Sequence, residues 1–182
     1  MSMLNNINIA GLSEFVSEIK ADNQQSRARY GVQLNWQSGT KSIINTKNVV
    51  MGEHKLVRDF SFTVDEPSQL LGINSAPSPA EYMLGGLAGC MAVTFLAGAT
   101  AMNIEIDALS LDIDGEIDLQ GFLGLDDDTN AGFPELSFVF NVSGNGTQEQ
   151  YDKLLMRVNR HSPNFNTMKN TVNMVGRLEK TE

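Results

Sequence analysis

Apolar and polar positions change their spacing near residue 30 of the chain. Leu12, Phe15, Val16 and Ile19 recur at helical spacing, which predicts a short amphipathic helix over residues 13–21. From Tyr30 onwards apolar residues occupy every second position, a spacing that is typical of strands. This alternation predicts a meander of three strands, over residues 30–36, 42–51 and 56–64.

The longest uncharged run, which covers most of residues 82–102, predicts a long helix. It follows Ser78, Pro79 and Glu81, and a serine, a proline and then a glutamate at this spacing are typical of a capping box. The run is long enough to span a bilayer, but its interior is mostly Gly, Ala and Thr, and acidic residues flank it. We therefore predict a helix that is buried on all sides in a soluble core, either within one chain or shared with a partner subunit.

The C-terminal half contains further strands and one more helix. Alternation predicts a strand that runs from Ala108 through Leu119 and another at residues 136–142. Thr147 with Gln150 forms a second capping box, at the start of a helix that ends before Pro163, and residues 172–178 predict a strand that closes the sheet. The long crossovers of a parallel sheet are missing, so this order predicts an α+β fold.

Length and charge limit the classes of protein and partner. The 182 residues suffice for one sizeable core, and we predict a single domain over residues 30–182 after a helical extension over residues 1–29. A net charge of −9 disfavours nucleic acid and membrane surfaces as partners. One cysteine excludes a disulfide scaffold, and residues 1–12 do not resemble a signal peptide, so we expect a cytoplasmic protein.

Neither a cofactor nor a metal site is predicted. Oxygen ligands alternate over residues 126–130 as at the start of a calcium loop, but Gly132 comes one residue late and Ser137 occupies the position that needs an acidic residue. This segment is therefore interpreted as a solvated loop. His54 and His161 are the only histidines, which gives little support to a two-histidine metal site.

Cys90 is the single cysteine, and it lies in the predicted long helix. It is either a packed small hydrophobe or a reactive centre, and the residues alone leave both open. Met83, Leu87 and Val93 share its face by helical spacing, and this apolar wall suits either core packing or an apolar ligand. Gly85 and Gly89 would allow a second helix, or a ligand, to approach the backbone closely.

Several short motifs follow one another in a recognisable order. Asp65-Glu66-Pro67 leads into Pro77-Ser78-Pro79, Gly89-Cys90 lies on the helix that follows, and the later helix ends at Ser162-Pro163. Over residues 30–182 this order resembles the OsmC/Ohr family, peroxiredoxin-like proteins that reduce organic hydroperoxides under oxidative stress. The resemblance implies an antiparallel sheet wrapped around a buried central helix, in an intertwined homodimer with reactive thiols near the subunit interface.

The resemblance also implies roles for individual residues. Cys90 matches the cysteine that attacks the hydroperoxide, whereas Ser162 falls on the position of the resolving cysteine, so an external thiol would have to reduce oxidised Cys90. A family arginine that stabilises the thiolate has its nearest candidate in Arg58, and its partner glutamate matches Glu81. Nine helical residues would place Glu81 about 13 Å along the axis from Cys90, which favours a capping role.

The family arrangement would bring Arg160 and His161 close to Cys90 together with Ser162. Either could supply the positive charge that activates the thiol, or both could simply be solvated at the end of a helix. Three functions remain open. They are a one-cysteine thiol peroxidase for organic hydroperoxides, a non-catalytic dimer that binds an apolar small molecule, and a purely structural, stress-associated dimer.

Overall fold

A computed structural model describes residues 3–180 of the chain. It contains two compact units: the first comprises residues 6–85, and the second comprises residues 3–5 and 86–180. The prediction of a single domain over residues 30–182 stays a prediction.

The first unit begins with helix α1 (Ile9–Ala21), as the apolar spacing predicted. The helix starts four residues earlier than expected because the side chain of Asn8 accepts a hydrogen bond from the Gly11 N–H at 3.0 Å. Two antiparallel three-stranded sheets follow, in the orders β1-β4-β5 and β2-β3-β6. Their strands are β1 (Ala28–Arg29), β2 (Val32–Ser38), β3 (Lys41–Thr46), β4 (Val49–Met51), β5 (His54–Leu56) and β6 (Ser61–Val64).

The meander therefore contains more breaks than the sequence predicted. The second predicted strand, residues 42–51, is interrupted at Lys47, whose N–H donates to the Gly31 carbonyl, and the chain passes there from one sheet to the other. The third, residues 56–64, is interrupted where the Arg58 N–H donates to the Asn48 side chain at 3.1 Å. Both breaks use hydrogen bonds between residues that are ten or more positions apart, which apolar alternation does not reveal.

Asp65, which is buried, fixes the loop between β6 and the long helix. Its carboxylate accepts five hydrogen bonds, two of them from the N–H and hydroxyl of Ser75 at 2.9 Å each and one from the hydroxyl of Thr40 at 2.8 Å; the N–H groups of Glu66 and Ile73 donate the others. The Ser75 N–H and then the Thr40 hydroxyl hold the pKa of Asp65 well below its ordinary value, and they outweigh the opposing effect of burial.

Helix α2 (Pro79–Ala101) begins with the predicted capping box. The Ser78 N–H donates to Glu81 at 2.7 Å, and the Glu81 N–H donates to the Ser78 hydroxyl at 3.3 Å. Only one face of α2 is buried within the chain, and Val93 on another face is 67% exposed, so burial on all sides would need a cover from outside the chain. Among the described residues α2 alone has the length and apolar composition of a membrane span, and core helices of soluble proteins meet the same test.

The second unit packs the remainder of α2 against a two-stranded antiparallel sheet and a helix. Strands β7 (Ile106–Gly115) and β8 (Leu136–Gly144) pair continuously from Ala108↔Ser143 to Gly115↔Leu136, and helix α4 (Gln148–His161) has the predicted capping box. Short helix α3 (Leu119–Phe122) lies between the strands. The core of this unit consists of Leu87, Met91, Phe95, Ala99, Ile104, Leu154 and Val158.

Two predictions for this unit need correction, and one helix was not predicted. Strand β7 ends at Gly115 rather than continuing through Leu119, which belongs to α3 because the Asp118 side chain caps that helix. Residues 172–178 form no strand, since no strand in the described part of the chain pairs with them, and that prediction was wrong. Helix α5 (Pro163–Lys169) was not predicted, although Pro163 occupies its first turn, where proline is favourable.

Candidate thiol site

Ser162 lies at the junction of α4 and α5 and is completely buried. Its N–H donates to the Val158 carbonyl at 2.9 Å, which completes the last turn of α4. Its own carbonyl accepts hydrogen bonds from the backbone and side-chain nitrogens of Asn166, at 3.1 and 2.9 Å. With its backbone held by both helices, Ser162 has only its hydroxyl left to bond elsewhere.

That hydroxyl points at Cys90. Ser162 Oγ donates to Cys90 Sγ at 3.4 Å, and the backbone N–H of Asn164 donates to the same sulfur, also at 3.4 Å. The predicted proximity of Ser162 and Cys90 is thus confirmed, within one chain. Cys90 itself is only partly buried, so its sulfur combines two fixed donors with partial access to solvent.

Asn164 holds α5 against α2 beside the thiol. Its side-chain amide donates to the carbonyl of Gly86 at 2.8 Å, one helical turn before Cys90. A Cβ atom added at Gly86 would lie 3.8 Å from the Asn164 amide nitrogen, which is an ordinary van der Waals contact. The backbone of α2 at this residue therefore leaves room for the Asn164 side chain. The hydrogen bond from the Asn164 side chain to Gly86 therefore helps to hold the backbone N–H of Asn164 in its position beside the Cys90 sulfur.

The two donors to the sulfur are a hydroxyl and a backbone N–H. An N–H or O–H group that points at a sulfur interacts better with a thiolate than with a neutral thiol. Such donors carry only partial charges, and the hydrogen bonds to Cys90 in the described structure come from neutral groups. In the described structure these hydrogen bonds therefore reach the sulfur without the full cation that the resemblance implied.

An apolar cavity of about 330 Å³ lies in the same unit. Leu87, one turn before Cys90 on α2, and Phe165, next to Asn164, both line it, so the elements that hold the thiol also form a wall of the cavity. Its remaining lining is mostly apolar and includes one residue of each charge; these residues are Phe133, Pro134, Glu135, Leu136, Phe138, Met168 and Lys169.

The other predicted site residues lie in different surroundings. Arg58 belongs to the first unit, where its guanidinium lies 4.6 Å from the centre of the Phe60 ring. Glu81 caps α2, and the hydrogen bonds from the Ser78 N–H and hydroxyl lower its pKa. Arg160 and His161 are exposed in the last turn of α4, directly before Ser162. None of these placements tests a catalytic role, which stays a prediction.

Two residues of the site were missed in the sequence. Asn164 contributes a backbone donor, and no side-chain pattern reveals such a donor. Lys169 is the basic residue that lines the cavity, and its ammonium lies 5.8 Å from the centre of the Phe165 ring. The start signal of α5, a serine followed by a proline, could have placed Lys169 in the last turn of a helix, but it does not show where the Asn164 N–H points.

Metal ligation has no support in the described residues. Across residues 3–180 no group of three or more His, Cys, Asp or Glu side chains is arranged to hold an ion. In the acidic loop, Asp126 accepts hydrogen bonds from Thr129 Oγ1 at 2.6 Å and from the Asp128 N–H at 3.1 Å. These bonds lower the pKa of Asp126 and satisfy its oxygens locally.

The fold is α+β, and its long helix α2 carries a single cysteine. This cysteine contacts the start of the later helix α5, where a serine is followed by a proline. The chain belongs to the family of OsmC-like proteins, whose sequence model matches residues 72–175. A comparison with curated proteins gives no match.

Solved structures share the fold. An OsmC-like protein from Mycoplasma pneumoniae is 18% identical, with a TM-score of 0.60 over 78% of this chain and 87% of its own. An OsmC-like protein of unknown function from Vibrio cholerae is 11% identical, with a TM-score of 0.60 over 76% and 92%. An organic hydroperoxide resistance protein OsmC from Legionella pneumophila is 19% identical, with a TM-score of 0.50 over 79% and 92%. At these identities the likeness establishes the fold alone, and it confirms the predicted α+β, OsmC-like architecture.

Proposed function

We propose that this OsmC-like protein is a stress-related, one-cysteine thiol peroxidase that reduces organic hydroperoxides. The observation that carries the proposal is the pair of hydrogen bonds from Ser162 Oγ and the Asn164 N–H to a partly exposed Cys90 sulfur. The family, and the name of the Legionella relative as a hydroperoxide resistance protein, support the same substrate class.

The reaction requires two half-cycles. The Cys90 thiolate attacks one oxygen of the hydroperoxide, the O–O bond breaks, and the alkoxide takes a proton to leave as an alcohol, which leaves a sulfenic acid on Cys90. Because serine cannot form a disulfide, an external thiol attacks the sulfenic acid, releases water and forms a mixed disulfide. A second external thiol then attacks the mixed disulfide. This releases the Cys90 thiol and joins the two external thiols as a disulfide.

The apolar cavity supports a hydrophobic substrate. Leu87 and Phe165 connect it to the elements that hold Cys90, and Lys169 in its lining is a further candidate for polarising the peroxide. Its volume of about 330 Å³ lies at the lower end of small-molecule sites, which suits a compact organic hydroperoxide.

Oxidation of Cys90 by cumene hydroperoxide tests the proposal directly. Stopped-flow kinetics and mass spectrometry of a trapped sulfenic acid should show oxidation faster than that of free cysteine. Ser162→Ala should slow it roughly tenfold, since a hydrogen bond to a charged group contributes about 1.5 kcal/mol or more. Ser143→Ala, at an exposed serine of β8, is the matched control. A rate no faster than free cysteine in the wild type would refute catalysis.

The charge requirement is tested with variants of the basic residues. Lys169→Gln, Arg58→Ala, Arg160→Ala and His161→Ala each remove one candidate cation. We expect at least one of them to slow the oxidation of Cys90, because fast attack needs a stabilised thiolate and a polarised peroxide. If none changes the rate, the two neutral donors suffice and the cation that the family resemblance implies has no part in the reaction.

The cavity also supports a second candidate, a dimer that binds an apolar molecule without catalysis. The two functions are separated with the Cys90→Ser variant, which cannot react but keeps the cavity. If wild-type oxidation is slow while this variant still binds 2-phenyl-2-propanol in NMR titrations, the protein is a binding module. Binding without reaction would leave Cys90 as a packing residue.

A homodimer is part of the proposal. Val32, Leu34 and Trp36 on alternate positions of β2 are all more than half exposed, and Gly85 and Gly89 of α2 face open space. A second copy is a suitable cover for these surfaces because apolar faces of this kind are rare in stable monomers. Light scattering should give twice the chain mass of 19.9 kDa at micromolar concentration, and a stable monomer would contradict the dimer.

A further inference from the structure

Positive charge in this acidic protein is concentrated in one segment of the first unit. Residues 27–58 contain six of the 13 Lys and Arg residues and one of the 22 Asp and Glu residues. The segment is therefore strongly positive within a chain of net charge −9. A local field of this sign attracts anions that the rest of the surface repels.

The register of the β1-β4-β5 sheet places two of these cations on one face. Arg29 pairs with Val50, and Val50 pairs with Lys55, so the three residues form a row across the sheet. Side chains of directly paired residues point to the same side, and the two outer strands of a three-stranded sheet are about 10 Å apart. Arg29 and Lys55 therefore flank Val50 on one surface.

Two cavities adjoin this row. One, of about 710 Å³, is lined by Gln24, Arg27, Ala28, Arg29, Val50 and Gly52. The other, of about 430 Å³, shares Arg29 and Val50 and adds Lys47 and Lys55, along with Tyr30, Gly31 and Asn48. Four basic residues line the two cavities, and no acidic residue lines either of them.

The four basic side chains have no described anionic partner. Within residues 3–180 the ion pairs join His54 to Glu18, Lys153 to Glu149 and Arg177 to Glu179, and none involves the cavity residues. The backbone beneath them is held in place, since the Gly52 N–H donates to the Arg27 carbonyl and the Lys47 N–H to the Gly31 carbonyl, at 2.9 Å each. Four like charges on a fixed frame repel one another unless a ligand supplies the negative charge.

We propose that these cavities bind a small organic molecule that carries two phosphate groups. Arginine forks bind phosphate oxygens in pairs, which suits Arg27 and Arg29 to one phosphate, and lysine binds phosphate as a point charge, which suits Lys47 and Lys55 to the other. Val50 and Tyr30 provide the apolar and aromatic surface that an organic group requires. The site is independent of Cys90 and of the proposed peroxidase reaction.

Isothermal titration with ADP, inorganic pyrophosphate and orthophosphate tests the site. We expect ADP and pyrophosphate to bind at least tenfold more tightly than orthophosphate, because two phosphates reach both pairs of cations. Arg29→Gln and Lys55→Gln should each weaken ADP binding at least tenfold. Arg29→Lys, which keeps the charge but loses the fork, should weaken it less than Arg29→Gln.

Lys180→Gln is the matched control, since it makes the same change of net charge outside the cavities. An equal loss of affinity in this variant would show a general charge effect and overturn the proposal. If the wild-type protein bound neither ADP nor pyrophosphate, the proposal would also be overturned. Binding of heparin alone would identify a surface for long polyanions and would also overturn it. All substituted side chains are exposed, and circular dichroism checks that the variants are folded.

Discussion

Replacing Ser162 with cysteine tests the geometry of the thiol site most sharply. Ser162 Oγ lies 3.4 Å from Cys90 Sγ, so the sulfur of a Ser162→Cys side chain needs to move only slightly to form a disulfide with Cys90. The substitution should therefore produce an intrachain disulfide under mild oxidation. It would also restore the pair of cysteines that the family resemblance describes.

The expected stabilisation follows from the length of chain that the bridge closes. The two positions are 72 residues apart, and the loop-closure relation gives about 4 kcal/mol for a ring of this size. This value assumes an unstrained native disulfide, which the short distance between the two side-chain atoms supports. The gain should disappear completely when a reductant is added.

Three measurements decide the outcome. Thiol titration and mass spectrometry count free cysteines, a non-reducing gel separates bridges within a chain from bridges between chains, and urea unfolding with and without reductant measures the stabilisation. Ser143→Cys is the matched control, since residue 143 is exposed on β8, and its two thiols should stay free. Two free thiols in oxidised Ser162→Cys, or a bridge only between copies, would refute the arrangement of α2 and α5.

Three further predictions concern the fold. Phe95→Ala should destabilise the protein by about 3–5 kcal/mol in urea unfolding, because Phe95 is 1% exposed and stacks on Phe140, whereas exposed Val93→Ala should change little. The pKa of Asp65 is lowered in the folded state, so its charge stabilises the fold above about pH 4 and this stability is lost as the pH falls further. Asp65→Asn should therefore unfold more readily at pH 7 and show a weaker dependence on acid; an unchanged acid profile would contradict the role of its five hydrogen bonds. Gly72→Ala should destabilise the same loop by about 1–3 kcal/mol, because a Cβ there would overlap the Glu66 carbonyl, and a wild-type urea midpoint would disprove this contact.

The main elements could be predicted because strong local signals begin and end them. Capping boxes placed the starts of α2 and α4 correctly, and strict alternation placed β8. The breaks within the first two sheets depend on hydrogen bonds between distant residues, which leave no periodic trace. Residues 172–178 show the opposite case, because alternation alone predicts a strand even where the described chain offers no neighbouring strand.

The site was predictable only in part. Cys90 and Ser162 could be paired because the family resemblance supplied their relation, and the structure brings them together. The Asn164 contribution could not be predicted, because a backbone N–H is available at every position and only the fold decides where it points. For Arg58, the packing of its guanidinium on Phe60 likewise depends on local folding rather than on any motif.

The exposed position of Trp36 gives the protein a built-in optical reporter. It is the only tryptophan of the chain, and the residue is 69% exposed on β2, where its indole N–H donates to the Gly39 carbonyl at 2.9 Å. Since water already surrounds the indole in the folded chain, its fluorescence spectrum will respond weakly to unfolding. Covering β2 with a second copy would exclude that water and shift the emission to shorter wavelength, so fluorescence on dilution would report dissociation of the dimer rather than unfolding.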